Sequence, residues 1–121
     1  MSRSQISQEK LMDAVSIAQA ATAYSSSKTF HACTGSAAMF IVSTAGSITV
    51  SQQCSRDGTN WYDPVDAAGS ALGVVATALT VTTGKYIAFS PVLSEFIRYK
   101  VVEGNVGATV VTITLLFRVE V

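Results

Sequence analysis

The alternation of apolar and polar positions is clearest near the C-terminal end. From Thr109 the odd positions read Thr109, Val111, Ile113, Leu115, Phe117, Val119 and Val121, and the even positions read Val110, Thr112, Thr114, Leu116, Arg118 and Glu120. A period of two with one apolar face is the pattern of a half-buried strand, and the β-branched content suits a pleated surface. At roughly 3.3 Å per residue, residues 108–121 would extend about 40 Å. Strands usually run to roughly five or six residues. This one is therefore expected to form a spine, with residues 117–121 reaching past the core toward a neighbouring subunit.

The same period continues upstream. Ile97, Tyr99 and Val101 point one way, and Arg98, Lys100 and Val102 the other. Glu103, Gly104 and Asn105 make a turn, so residues 95–103 and 108–121 are predicted to pair as an antiparallel hairpin. Residues 85–90 read as a short strand ended by Pro91, which cannot donate to a ladder. Further strands are expected at 73–81, 47–54 and 37–43, with turns at 82–84 and 44–46. In 37–43, Phe40 and Val42 share a face. Another strand is expected at 27–33, stopped by Thr34 and Gly35. About seven short strands with regularly spaced turns predict an all-β chain, an antiparallel β-sandwich of jelly-roll type.

Residues 1–24 allow two readings. Leu11, Ala14, Val15 and Ala18 stand at helical spacing, with Ser7 as a possible cap. Leu11, Val15 and Ile17 also share one face of a strand. Residues 20–27 are small and polar, like a linker. The expected organisation is an N-terminal arm or first strand over 1–24, then one sandwich domain over 25–121.

Composition adds a hint about partners. Of the 121 residues, 49% are apolar and only 13% charged, about half the charged share of an ordinary domain. Part of the surface is therefore expected to be covered by other molecules. Net charge is zero, and Arg3, Lys10, Lys28, Arg56, Lys85, Arg98, Lys100 and Arg118 are scattered, which argues against nucleic acid as a partner. The first 22 residues carry charges where a secretory signal needs an apolar run, and no stretch has the length of a membrane-spanning helix. The expectation is a soluble protein made in the cytoplasm.

Candidate chemistry is sparse. His31 is the only histidine, with no nucleophile motif near it, so neither a triad nor a zinc site can be built around it. Cys33 and Cys54 read as two buried thiols in a reducing compartment, the alternative being a disulfide formed after lysis. Asp57, Asp63 and Asp66 lack the spacing of a calcium loop. No enzyme, metal or cofactor is expected. Trp61 and Tyr62 follow an Asp-Gly turn. Trp61 is expected to open the next strand and bury its ring in the core. The alternative is an exposed aromatic platform for sugar, using Trp61, Tyr62 or Tyr86.

The run from Cys54 through Ser55, Arg56, Asp57, Gly58, Thr59 and Asn60 to Trp61 resembles the S-x-DGTNW segment of small tailed-phage virion proteins. Residues 95–101 resemble their YIRFRV strand, residues 108–115 their Thr/Val-rich final strand, and residues 11–15 their LLDAV opening. The four pieces occur in the family's order and span most of the chain. Arg56 and the apolar tail from Phe117 depart from the pattern. The resemblance implies a virion β-sandwich and favours an extended rather than helical segment at 11–17. Its leading implication is a capsid decoration or cement protein on the capsid surface. Such a protein would be assembled in the host cytoplasm and bound to the major capsid protein and to copies of itself, most plausibly as a trimer. A glycan-binding or structural module of the tail, neck or baseplate is the alternative. The expected interaction surface comprises Ile6, Leu11, Trp61, Tyr62, Phe117, Val119 and Val121.

Overall fold

The computed structural model describes residues 4–29 and 33–120. The strands are β1 (Ser4–Ile17), β2 (Thr22–Tyr24), β3 (Lys28–Thr29), β4 (Cys33–Ser43), β5 (Ile48–Ser55), β6 (Val74–Leu79), β7 (Lys85–Phe89), β8 (Phe96–Glu103) and β9 (Thr109–Glu120). They form two antiparallel sheets. Sheet A has the order β1-β9-β4-β7, and sheet B the order β2-β8-β5-β6, with β3 added on β8. The pairs β1–β9, β2–β8, β4–β7 and β5–β6 are nested around the middle of the chain. That nesting is a long antiparallel ribbon wrapped into a jelly roll, as the turn spacing predicts.

Alternation explains the core. The odd residues of β9 from Thr109 to Phe117 are buried, as are Ile97, Tyr99 and Val101 of β8, Ile48 and Val50 of β5, and Met39 and Ile41 of β4. These faces look at one another from opposite sheets and exclude water between them. β4 is apolar at every position from Ala37 to Val42, so periodicity alone cannot orient it. Met39 and Ile41 point inward, and Phe40 and Val42 outward.

Several expectations are corrected. β8 and β9 are not a hairpin: they lie in different sheets. Two alternating runs around a turn look the same in sequence whether they lie side by side or face each other across a core. Thr34 and Gly35 do not stop a strand but lie within β4. As far as Glu120 the C-terminal run is a paired strand and not a free extension, and Val121 lies outside the described residues. β9 is flanked by β1 and β4, and Phe117 is buried.

The N-terminal ambiguity resolves to a strand. β1 pairs with β9 from Ser4 to Ile17, so this segment is the edge of sheet A rather than a free arm. Its register shifts between Lys10 and Met12 and again between Met12 and Val15. Ala14 takes a φ of 51° and donates its N–H to Thr112 Oγ1 at 3.1 Å. These bulges bury both Leu11 and Met12, which breaks strict alternation and mimics helical spacing. Bulges also blunt the edge against pairing with foreign strands.

The two ends of the sandwich differ. At one end, β1–β2, β4–β5, β6–β7 and β8–β9 are joined by short arches that cross between the sheets. At the other end lie the longer connections 56–73 and 90–95.

Candidate functional site

The conspicuous motif builds its own loop. Ser55 Oγ accepts the N–H groups of Asp57 (3.3 Å) and Gly58 (2.8 Å) and donates to Asp57 Oδ1 at 3.0 Å. Asp57 Oδ1 also accepts the N–H groups of Thr59 and Asn60, each at 2.9 Å, and Oδ2 accepts the Asn60 side-chain amide at 2.9 Å. Donation from Asn60, Thr59 and Ser55 pulls the Asp57 carboxyl far below the ordinary carboxylate range. Gly58 has a φ of +79° and lies over the Phe96 ring, a conformation that favours glycine. Ser55, Asp57, Gly58, Thr59 and Asn60 thus each have a structural role in the loop. Asp66 caps its own turn through the N–H groups of Ala68 and Ser70. Asp63 accepts the Gln53 amide at 3.0 Å and lies 3.9 Å from Lys100 Nζ. Among the described residues no cluster of metal-ligating side chains forms.

The chain from this loop passes onto the outer face of sheet B, where Trp61 departs from expectation. Trp61 is half-buried and outside any strand. Its ring lies 4.6 Å from the Arg98 guanidinium, which also lies 4.1 Å from the Tyr24 ring. Arg98 Nε donates to Gln53 Oε1 at 2.8 Å. The partner that draws Trp61 out of the core is a cation on an outward position of β8. Arg98→Ala should expose the single tryptophan and move its emission to the red. Arg98→Lys should do so only in part, since lysine lacks the planar stacking surface. An unchanged spectrum in Arg98→Ala would mean the stack is not formed in solution.

The outer face of sheet A is of another kind. By register, Ile6 lies beside Arg118, Ala38 beside Leu116 and Ala88, and Phe40 beside Tyr86. Phe40 and Tyr86 rings lie 5.2 Å apart, and Ile6 (73%) and Tyr86 (70%) are largely exposed. Ile6, Ala38, Ala88, Leu116, Phe117 and Arg118 line an open depression of about 270 Å³. A solvated sheet face ordinarily shows polar residues outward. Here β4 presents Ala38, Phe40 and Val42, and β9 presents Val110 and Leu116 together with Thr112, Thr114 and Arg118.

No family model matches the chain, and no curated protein matches it. Among solved structures it is similar to infectious bursal disease virus, Gx strain, with a TM-score of 0.55 at 14% identity. It is also similar to infectious bursal virus derived T=1 particles, with a TM-score of 0.55 at 13% identity. Each match covers 97% of this chain and 32% of the other, so the chain spans about a third of the length of these neighbours. What is shared is the fold.

The expected interaction residues do not converge. Leu11 and Phe117 are buried, with Lys28 Nζ 4.5 Å from the centre of the Phe117 ring. They are core residues because the β1 bulge and the inward face of β9 place them there. Ile6 is on the outer face of sheet A, and Trp61 on that of sheet B. Tyr62 is exposed by 64% and bridges to Cys54 beside the motif loop. The backbone of Val119 pairs with Gln5 and Cys33. Its side chain lies outside the described residues, as do Val121, His31 and the Cys33 side chain. The Cys54 thiol is free, and burial pushes its pKa up. Trp61 and Tyr86 stand on opposite sides of the sandwich, so they form no common sugar platform. The residues that sequence reasoning missed are Tyr24 and Arg98 on one face, and Ala38, Ala88 and Leu116 on the other, where Tyr86 enters the sequence reading only as a sugar-binding candidate. The apolar outward positions of β4 were the available signal.

Proposed function

We propose that this chain is a structural protein of a tailed-phage virion, a decoration or cement protein of the head that binds the major capsid protein and copies of itself. The observation that carries the reading is a jelly roll with two faces of interface composition on opposite sides. The outer face of sheet A holds an apolar patch over Ala38, Phe40, Tyr86 and Leu116, and that of sheet B holds Tyr24, Arg98 and Trp61. Aromatics and arginine are the residue types that anchor protein interfaces. A rigid block with a sticky face on each side can tie neighbouring subunits together, which is mechanical work and needs no catalytic group. The likeness of fold to two virus structures and the S-x-DGTNW resemblance support the reading.

In this scheme the Tyr24–Arg98–Trp61 stack meets the major capsid protein. A stable contact would bury on the order of 1,000 Å² or more. Adding the purified protein back to capsids stripped of it should raise their resistance to heat, with copies per particle in the hundreds, an order set by the capsid lattice. Arg98→Ala should weaken that rebinding by roughly tenfold or more. A few copies per particle, or no stabilisation on add-back, would defeat the reading and move the protein to the neck or tail.

A further inference from the structure

The loop 90–95 presents one leucine to solvent in a fixed position. Leu93 is 99% exposed, yet both its neighbours are tethered. The buried side chain of Gln52 donates to the Val92 carbonyl at 2.9 Å and accepts the Val92 N–H at 3.0 Å. Ser94 Oγ lies within hydrogen-bond distance of the carbonyls of Phe96 (2.9 Å) and Ser55 (3.2 Å). An apolar side chain held out on a clamped loop has already lost much of the freedom that binding would otherwise remove.

One acid near Leu93 and one base beside the sheet A depression are left unpaired among the described residues. The connections 56–73 and 90–95 carry Asp57, Asp63, Asp66 and Glu95 against Arg56 alone, in a chain whose net charge is zero. Asp57 and Asp66 are committed to their own turns, and Asp63 to Gln53 and Lys100. Glu95 has no ionic partner among the described residues. On the outer face of sheet A the described charges of β1 pair with each other, and that of β9 does not. Lys10 lies 3.7 Å from Asp13, and Arg118, at the rim of the apolar depression, is likewise without an ionic partner among the described residues. Leu93 and Glu95 are two residues apart on their loop, as Leu116 and Arg118 are on β9.

We propose that the occupant of the sheet A depression is Leu93 of a second copy of this chain, with Glu95 of that copy meeting Arg118. The contact joins two different surfaces, so it is heterologous, and its repetition builds a ring when the rotation closes. The small side chains of Ala38 and Ala88 leave the room, and Ile6 and Leu116 supply the apolar walls. The inference deepens the self-association part of the virion reading and rests on it, while the contact with the major capsid protein is separate.

The test is the mass of the purified protein by native mass spectrometry and light scattering, at up to about 100 μM. Wild type should be oligomeric and Leu93→Asp monomeric with an unchanged circular dichroism spectrum, because Leu93 supports nothing within its own chain. Glu95→Arg and Arg118→Glu should each weaken association by roughly tenfold or more, and the double variant should recover most of it. A monomeric wild type, an oligomer indifferent to Leu93→Asp, or a double charge reversal no better than the singles would each overturn the proposal. A monomeric wild type would also remove self-association from the proposed function, whereas binding to the major capsid protein has its own test in copy number and add-back.

Discussion

Ile113→Ala should lower the unfolding free energy by about 2–5 kcal/mol, read from urea titrations with an unchanged slope. Ile113 is fully buried in β9, paired with Met12 on one side and Ile41 on the other, both of them buried. A cavity there cannot close easily, because β9 is held from both sides and its inward face meets the second sheet. The neighbouring outward position gives the contrast. Thr114→Ala removes a side chain that points away from the core and should change stability by less than about 0.5 kcal/mol. The pair tests register as well as burial, because a slip of one residue exchanges the two faces. Equal losses at 113 and 114, or a larger loss at 114, would contradict the assigned register of β9.

That register was legible from the sequence because β9 obeys a strict period of two and its odd face is apolar. Other features were illegible for definite physical reasons. Whether β8 and β9 lie side by side or across from each other depends on where β1 and β5 pair, which no local window contains. β1 escaped a firm assignment because two register shifts and the positive φ of Ala14 break its alternation. Trp61 was expected in the core by residue type. Its partner Arg98 is remote in sequence, and the pairing needs β5 and β8 to be neighbours first. The DGTNW segment could be read as a turn, but its use of Ser55 and Asp57 as a self-contained hydrogen-bond frame could not. The outer face of sheet A stayed hidden because β4 is apolar on both sides, so alternation there carries no orientation. The same ambiguity marks the surface: a strand apolar on both faces in a two-layer sandwich has one face in the core and the other left for a partner.

Glu103 shows the largest gap between sequence and structure, and carries the second large expected effect. Its place before Gly104 and Asn105 reads as part of a polar turn, yet it is 1% exposed. Its carboxylate accepts the N–H groups of Ala20 at 2.9 Å, Ser47 at 3.2 Å and Val106 at 3.1 Å. Those residues belong to three different arches, β1–β2, β4–β5 and β8–β9, so one side chain staples that end of the sandwich. The fit is close. A Cβ on Gly46 would lie 2.8 Å from the Gly107 carbonyl oxygen and 2.9 Å from Glu103 Oε2. Donation from Ala20, joined by Ser47, Val106 and Gly107, outweighs burial, which acts in the opposite sense, and lowers the carboxyl from its ordinary 4.5 to about 2. A carboxylate depressed by folding contributes stability above its unfolded pKa and loses it as pH falls through the folded value. The window for Glu103 therefore runs from about pH 4.5 down to about pH 2. Asp57, also depressed, loses its contribution in the same direction. Glu103→Gln puts an amide NH₂ where backbone donors already point. It should lower the neutral-pH melting temperature by on the order of 5–10 °C. It should also flatten the acid limb of the stability profile, leaving the part due to Asp57. Adding Asp57→Asn should flatten most of the remainder. If Glu103→Gln instead kept the full wild-type acid slope, the staple would not be charged in the native state. The arches would then have to be held by their own backbone contacts, such as the Glu103 N–H to the Ala21 carbonyl and the Gly104 N–H to the Ser47 carbonyl.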